Sequence, residues 1–168
     1  RYRRSIGCGP VALVAMILIG VLVWLVASVE FNVGRSSYTT IEVGTSFEDV
    51  VTASWFGVDI TDLIKMEGEV DTNKIGSYTV RYKLPMSWRT HEKVIQVVDT
   101  VAPIVTLNGR AEVFVEDFSA FVEPGFTATD NYDGNLTGST KLKVTEVSDT
   151  SYRLEYYVFD TSGNIGVA

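Results

Sequence analysis

Residues 11–29, VALVAMILIGVLVWLVASV, are nineteen consecutive positions without a charge, and the uncharged stretch reaches back to Ser5. Apolar side chains fall on every face of a 3.6-residue period, so a helix here has no side suited to water. At about 1.5 Å per residue the run predicts a helix about 28 Å long, close to the ~30 Å hydrocarbon thickness of a bilayer. The expectation is one transmembrane helix over residues 9–29. Beyond it the period changes. Short runs alternate apolar and polar residues and are separated by Gly, Asp, Asn and Ser, which predicts strands. One stretch, SFEDVVTAS (46–54), reads as a single helical turn.

The strand pattern occurs twice. GSYTVRYKL (76–84) and TSYRLEYYV (150–158) align without a gap. Tyr78, Val80, Tyr82 and Leu84 share one strand face, and Tyr152, Leu154, Tyr156 and Val158 share the equivalent one, as expected of strands with one face on a core. Upstream, DIT (59–61) matches NLT (135–137). A period of about 65–75 residues suits a small sandwich of about seven short strands. Between the copies lies VVDTVAPIVTLNG (97–109), where Pro103 blocks ladder bonding and stiffens the junction. The chain therefore reads as all-β, with two tandem β-sandwiches preceded by one transmembrane α-helix. Its expected segments are a basic segment 1–8, the helix 9–29, a spacer 30–37, a first sandwich 38–99 and a second sandwich 100–168. The second reads as truncated in its last strand, because the chain stops at GNIGVA; with Arg1 in place of a methionine, both ends read as clipped.

Charge sets the orientation. Arg1, Arg3 and Arg4 precede the apolar run and Glu30 follows it. Positive charge stays cytoplasmic, so the N-terminus is expected inside and everything after Glu30 outside. A cleaved signal peptide is the rival, with Val26-Ala27-Ser28 as a weak cleavage sequence. Its apolar region usually runs only about 7–15 residues, which favours an uncleaved signal anchor. The exported part carries all 21 acidic and 11 of the 14 basic residues, a net charge of −10. Such a surface repels nucleic acid and anionic lipid, so DNA, RNA and membrane-surface binding are not expected of the exported domains. The lipid bilayer is the expected partner of 9–29. The single cysteine, Cys8, sits at the cytoplasmic edge of the helix, so the exported part has no disulfide.

DTVAPIVTLNG, then TATDNYDGNLT, then YRLEYYVFDTSGNIGVA resemble, in that order, the immunoglobulin-like repeats of bacterial surface proteins, a type also found in insecticidal crystal toxins. The resemblance covers residues 100–168 well. It is weaker over 38–99, where ASWFGVDIT replaces the acidic turn and LPMSWRTHEK replaces D-x-S-G-N. It implies a non-enzymatic stalk or adhesion module whose partners are cell-wall glycan or another surface protein. It also implies an alternative, the anchor-and-spacer region of a cell-wall-active enzyme, a polysaccharide deacetylase or peptidoglycan hydrolase, with its catalytic domain beyond residue 168.

The candidate chemistry sits in TDNYDGNLTG (129–138). A catalytic reading needs a partnered acid or base. The only histidine, His91, lies in the other copy, and no Ser-His-Asp set or Gly-rich phosphate loop is present. Two readings remain. Asp and Asn bond to their own backbone in turns, and Gly134 permits a positive φ, so a plain turn is preferred. Hard oxygen ligands at close spacing also suit calcium, with Asp130, Asp133, Asn131 and Asp160 as candidate ligands. Asn135-Leu136-Thr137 is formally a glycosylation sequon but reads as part of the turn. Trp55 and Trp88 are candidate sugar-stacking platforms or domain-edge covers. Tyr78 and Tyr152, two residues before the inward Val80 and Leu154, are candidates for the tyrosine corner of an immunoglobulin sandwich.

Overall fold

The computed structural model describes residues 10–34, 36–85 and 89–168. The arginines at 1, 3 and 4, Cys8 and Trp88 lie outside them. The apolar run forms helix α1, Pro10–Ala27. It stops short of the expected end at Val29. Ser28 turns back, its amide donating to Trp24 O at 3.1 Å and its hydroxyl to Leu25 O at 2.6 Å. Val29 then opens a strand opposite Trp55 and is only 4% exposed, so pairing and burial take it out of the helix. Among the described residues no helix is long and apolar enough to cross a membrane.

Among the other described residues the strands form four sheets, joined by 3-10 turns and irregular loops. Strands β1 (Val29–Val33), β3 (Val51–Trp55) and β4 (Val58–Asp59) form one in the order β1-β3-β4. Strands β2 (Tyr38–Glu42), β5 (Lys65–Glu67), β6 (Gly76–Lys83) and β7 (Thr90–Val98) form another in the order β2-β7-β6-β5. The first half of the segment expected as a spacer thus belongs to β1, antiparallel to β3 from Val29↔Trp55 to Val33↔Val51. The helical turn expected in 46–54 is also corrected. Residues 46–50 have no regular structure and 51–55 are β3, because Ala53 is needed on the inner face, where it is buried. The third sheet joins β8 (Ile104–Leu107), β9 (Phe126–Asp130) and β10 (Gly134–Asn135) in the order β10-β9-β8. The fourth joins β11 (Lys141–Ser148), β12 (Ser151–Phe159) and β13 (Ile165–Val167) in chain order.

The chain divides into two compact units. The first takes in residues up to Thr40, Ser46–Asp71 and Ser77–Gln96; the second takes in Ile41–Thr45, Thr72–Gly76 and Val97–Ala168. Residues 41–45, the end of β2 and the turn after it, join the second unit through backbone and carboxylate bonds. Val43 N donates to Val98 O at 2.7 Å, and Thr100 donates through its amide and its hydroxyl to the Glu42 carboxylate, both at 2.8 Å.

In the first unit, Val80, Tyr82 and Leu84 are buried as their alternation predicts, and Ile95 joins them from β7. Lys93 lies on the same inward row of β7 as Ile95 and is itself buried. Its amine meets Asp49 Oδ1 at 2.7 Å, and Tyr82 donates its hydroxyl to Asp49 Oδ2 at 2.9 Å. In the second unit Tyr156 and Val158 are buried, while Leu154 is half-buried. Tyr152 is exposed and stacks on Phe118 with ring centroids 4.2 Å apart. β11 departs from its alternation. Leu142 and Val144 alternate with Lys143 and Thr145 as in a half-buried strand, yet all eight residues are exposed on this sheet edge.

Candidate metal centre

The same local bonds build the hairpin after β3 in the first unit and after β9 in the second. Ala53 N donates to Thr61 Oγ1 at 3.1 Å, and Ala128 N to Thr137 Oγ1 at 3.0 Å. Ile60 N reaches Ala53 O and Leu136 N reaches Ala128 O, each at 2.9 Å. Asp59 and Asn135 each accept from the amide two residues on, at 2.9 and 3.0 Å. The Asn135 side chain therefore serves its own turn, where the sequon reading had been set aside. Between these shared bonds the two hairpins differ. The first carries Trp55-Phe56-Gly57-Val58, and the second carries the acidic run that ends at Gly134, whose φ of +71° suits glycine.

In the second hairpin Asp130 Oδ1 accepts the amides of Tyr132 and Asp133 at 2.8 and 2.9 Å, the Asx turn expected of this composition. Asp133 does not point to the same place. Its carboxylate accepts Thr161 N at 2.6 Å and Thr161 Oγ1 at 2.8 Å, tying the hairpin to the loop after β12. Asn131 is exposed in the turn. Asp160 begins that loop, and its two oxygens accept Asn164 N and Asn164 Nδ2, both at 2.7 Å. Asn164 Nδ2 also donates to the carbonyls of Asp99 and Val101 at 3.2 Å.

The fold thus brings together Asp130, Asp160 and a third residue, Asp99. One carboxylate oxygen from each lies within 4.8 Å of the other two. Asp99 is 6% and Asp160 7% exposed. Asp130 Oδ2 is buried and has no hydrogen-bond partner among the described residues. Asp99 accepts Val101 N and Ser162 Oγ, each at 3.2 Å. These donors are neutral. They solvate the carboxylates without cancelling their charge. At an effective dielectric of about 20, two unit charges 4.8 Å apart repel by roughly 3 kcal/mol. A divalent cation removes that repulsion. Calcium–oxygen distances of about 2.3–2.6 Å put ligands on opposite sides of one ion about 4.6–5.2 Å apart, so three oxygens within 4.8 Å fit one ion.

Asp99 was missed as a ligand because it stands in the junction, some thirty residues before the turn. Its signal was the period of β7. Lys93, Ile95, Val97 and Asp99 alternate with wetter positions, which puts Asp99 on the inward side. His91 makes no acid–base pair with this chemistry; its ring packs edge-on against Phe31 at 4.8 Å. Trp55 is half-buried, and its indole Nε1 donates to Leu25 O at 3.0 Å, at the end of α1.

Residues 32–95 match the family model of the bacterial surface protein, Ig-like domain. That span runs from β1 into β7, so the match falls on the copy whose motifs are the more divergent. No curated protein matches the chain. Among solved structures, a lipoprotein from Bacteroides thetaiotaomicron is similar over 83% of this chain and 77% of its own, with 18% identity and a TM-score of 0.39, too distant to carry an argument. What the family match supports is an immunoglobulin-like β-sandwich of the kind carried by bacterial surface proteins.

Proposed function

We propose that the chain is a membrane-tethered, non-catalytic stalk or adhesion module on the outer face of a bacterial cell. The supporting observation is that residues 32–95 match a surface-protein module and follow an all-apolar helix with one residue, Ser28, between helix and strand. Val11 to Trp24 contains only apolar residues and Gly20, and its large side chains are exposed. In the sequence the uncharged run extends beyond α1, from Ser5 to Val29, and a span needs about 20 predominantly apolar residues. Arg1, Arg3 and Arg4 then hold the N-terminus in the cytoplasm. Asp99, Asp130 and Asp160 hold calcium in the second unit, fastening the junction segment to the ends of β9 and β12. Cell-wall glycan or another surface protein is the partner class at the distal end.

The test is alkaline carbonate extraction of cells that make the chain, combined with protease shaving of intact cells. The expected result is a protein that stays with the membranes and loses its β-sandwiches to external protease. A freely secreted product beginning near Val29 refutes the tether.

A further inference from the structure

The first hairpin turns on Phe56 and Gly57, between the pairs Ser54↔Asp59 and Trp55↔Val58. Both turn residues have positive φ, +49° and +77°. A two-residue turn of this kind favours Asn-Gly, because bulky side chains rarely adopt that backbone. Phe56 is the one non-glycine residue with positive φ among the described residues. Strain of this type persists where the side chain is wanted in the position it reaches. Phe56 reaches outward and is 53% exposed, beside Val58 at 64%.

What Phe56 stands next to identifies the use. Its ring lies 5.4 Å from that of Trp24 and 5.6 Å from that of Trp55. Trp24 is one turn from the end of α1 and is 62% exposed, and Trp55 is pinned to the same turn through Leu25 O. Three aromatic rings and Val58 therefore sit at the water-side end of an apolar cylinder. Aromatic side chains gather at that depth where a helix leaves a bilayer. Two carboxylates set how deep the group can go. Asp59 accepts Thr61 N and Glu30 accepts Ser54 Oγ just beyond the tip, and both are exposed. Neither belongs in hydrocarbon, so the tip reaches the headgroup–acyl boundary and no further.

Building on the membrane tether proposed above, we infer that the hairpin tip Trp55–Val58 is a second membrane contact. It seats Phe56 and Val58 in the outer lipid interface beside α1, so the first sandwich is held at two points. A lipid surface suits the site better than a saccharide, because the Trp55 ring is committed to the helix end and Phe56 offers no polar group. The exclusion of membrane surfaces drawn from net charge does not reach this contact, because it is apolar and, with acidic flanks, needs no anionic lipid.

The test uses the full chain with Cys8→Ser in phosphatidylcholine nanodiscs, with a nitroxide attached in turn through Phe56→Cys, Met16→Cys and Tyr132→Cys. Collision with oxygen reports lipid, and collision with a water-soluble nickel chelate reports solvent. The expected result is a label at 56 that is several-fold less accessible to nickel than the label at 132, with the label at 16 fully shielded. A label at 56 as open to nickel as that at 132, while 16 stays shielded, overturns the second contact and leaves the tether. Labels at 16 and 56 both open to nickel overturn the two readings together. Equal shielding at 56 and 132 overturns the inference by showing that the label itself seeks lipid.

Discussion

Asp49→Asn is expected to cost the first unit about 3–5 kcal/mol, the usual loss when one partner of a buried ion pair is removed. The side chains of Lys93 and Asp49 are 9% and 11% exposed, with 2.7 Å between Nζ and Oδ1. At an effective dielectric near 20 their gross attraction is roughly 6 kcal/mol, set against the desolvation of both ions. Asparagine keeps an oxygen for the Tyr82 hydroxyl, so the hydrogen bond worth about 1 kcal/mol survives and the loss isolates the charge. What remains is an ammonium on the Ile95 row of β7 with no countercharge. Lys93→Met leaves the mirror-image problem at Asp49. The double variant leaves neither ion, so its cost falls below the sum of the singles by at least about 1.5 kcal/mol. All three tryptophans precede residue 89, so urea unfolding of residues 29–168 followed by tryptophan emission reports the first unit through Trp55 and Trp88. A loss below about 1 kcal/mol for Asp49→Asn, or singles that add within error, refutes a buried, charge-compensated pair.

Calcium is expected to raise the melting temperature of the second unit by several degrees. A site with a dissociation constant near 1 mM contributes about 1.4 kcal/mol at 10 mM ion. Asp99→Asn and Asp160→Asn abolish the shift, Asp133→Asn keeps it because Asp133 serves Thr161, and no shift at millimolar calcium removes the metal. Alkaline pH tests the tyrosine face. Burial first, and the neighbouring Glu123 carboxylate second, push the Tyr156 phenol up to about 12. The unfolded chain ionises near 10, so the folded state holds the proton more tightly. Its stabilising contribution is complete below about pH 10 and is lost as pH rises towards about 12, and Tyr156→Phe flattens that alkaline limb in pH-jump unfolding.

The residues that carried the architecture into the sequence are those whose pattern depends on their near neighbours. The apolar run gave α1, and Tyr82 and Tyr156 gave the buried face of a strand in each copy, because alternation is set by the pleat. The end of α1 was misplaced by two residues. Nothing in the run itself separates Val29 from the valines before it; its burial comes from pairing with Trp55, twenty-six positions later. Of the candidate ligands, Asp130 and Asp160 converge, whereas Asp133 is committed to Thr161 and Asn131 is exposed in the turn. A turn of four oxygen-bearing residues points its side chains in different directions, and only the fold decides which share a centre. Asp99 was hidden for the same reason, being close to the turn in space and distant in sequence. The family match falls on 32–95, where the acidic turn is replaced.

With only Ser28 between α1 and β1, the chain has no slack at its root. In the membrane-tethered arrangement proposed above, a pull on the C-terminal part of the chain is resisted at the helix and enters the first sandwich at Val29, the end residue of a strand. The load then runs lengthwise along β1 against β3. Five register pairs, Val29↔Trp55 to Val33↔Val51, bear it together instead of opening one after another. Trp55 adds a sixth tie through Leu25 O, so helix and strand share the strain at the point where they meet. A flexible leash lets a head group wander and gives way gradually. This joint transmits tension and twist to the sandwich, and its weak point is the shear strength of one short antiparallel pair.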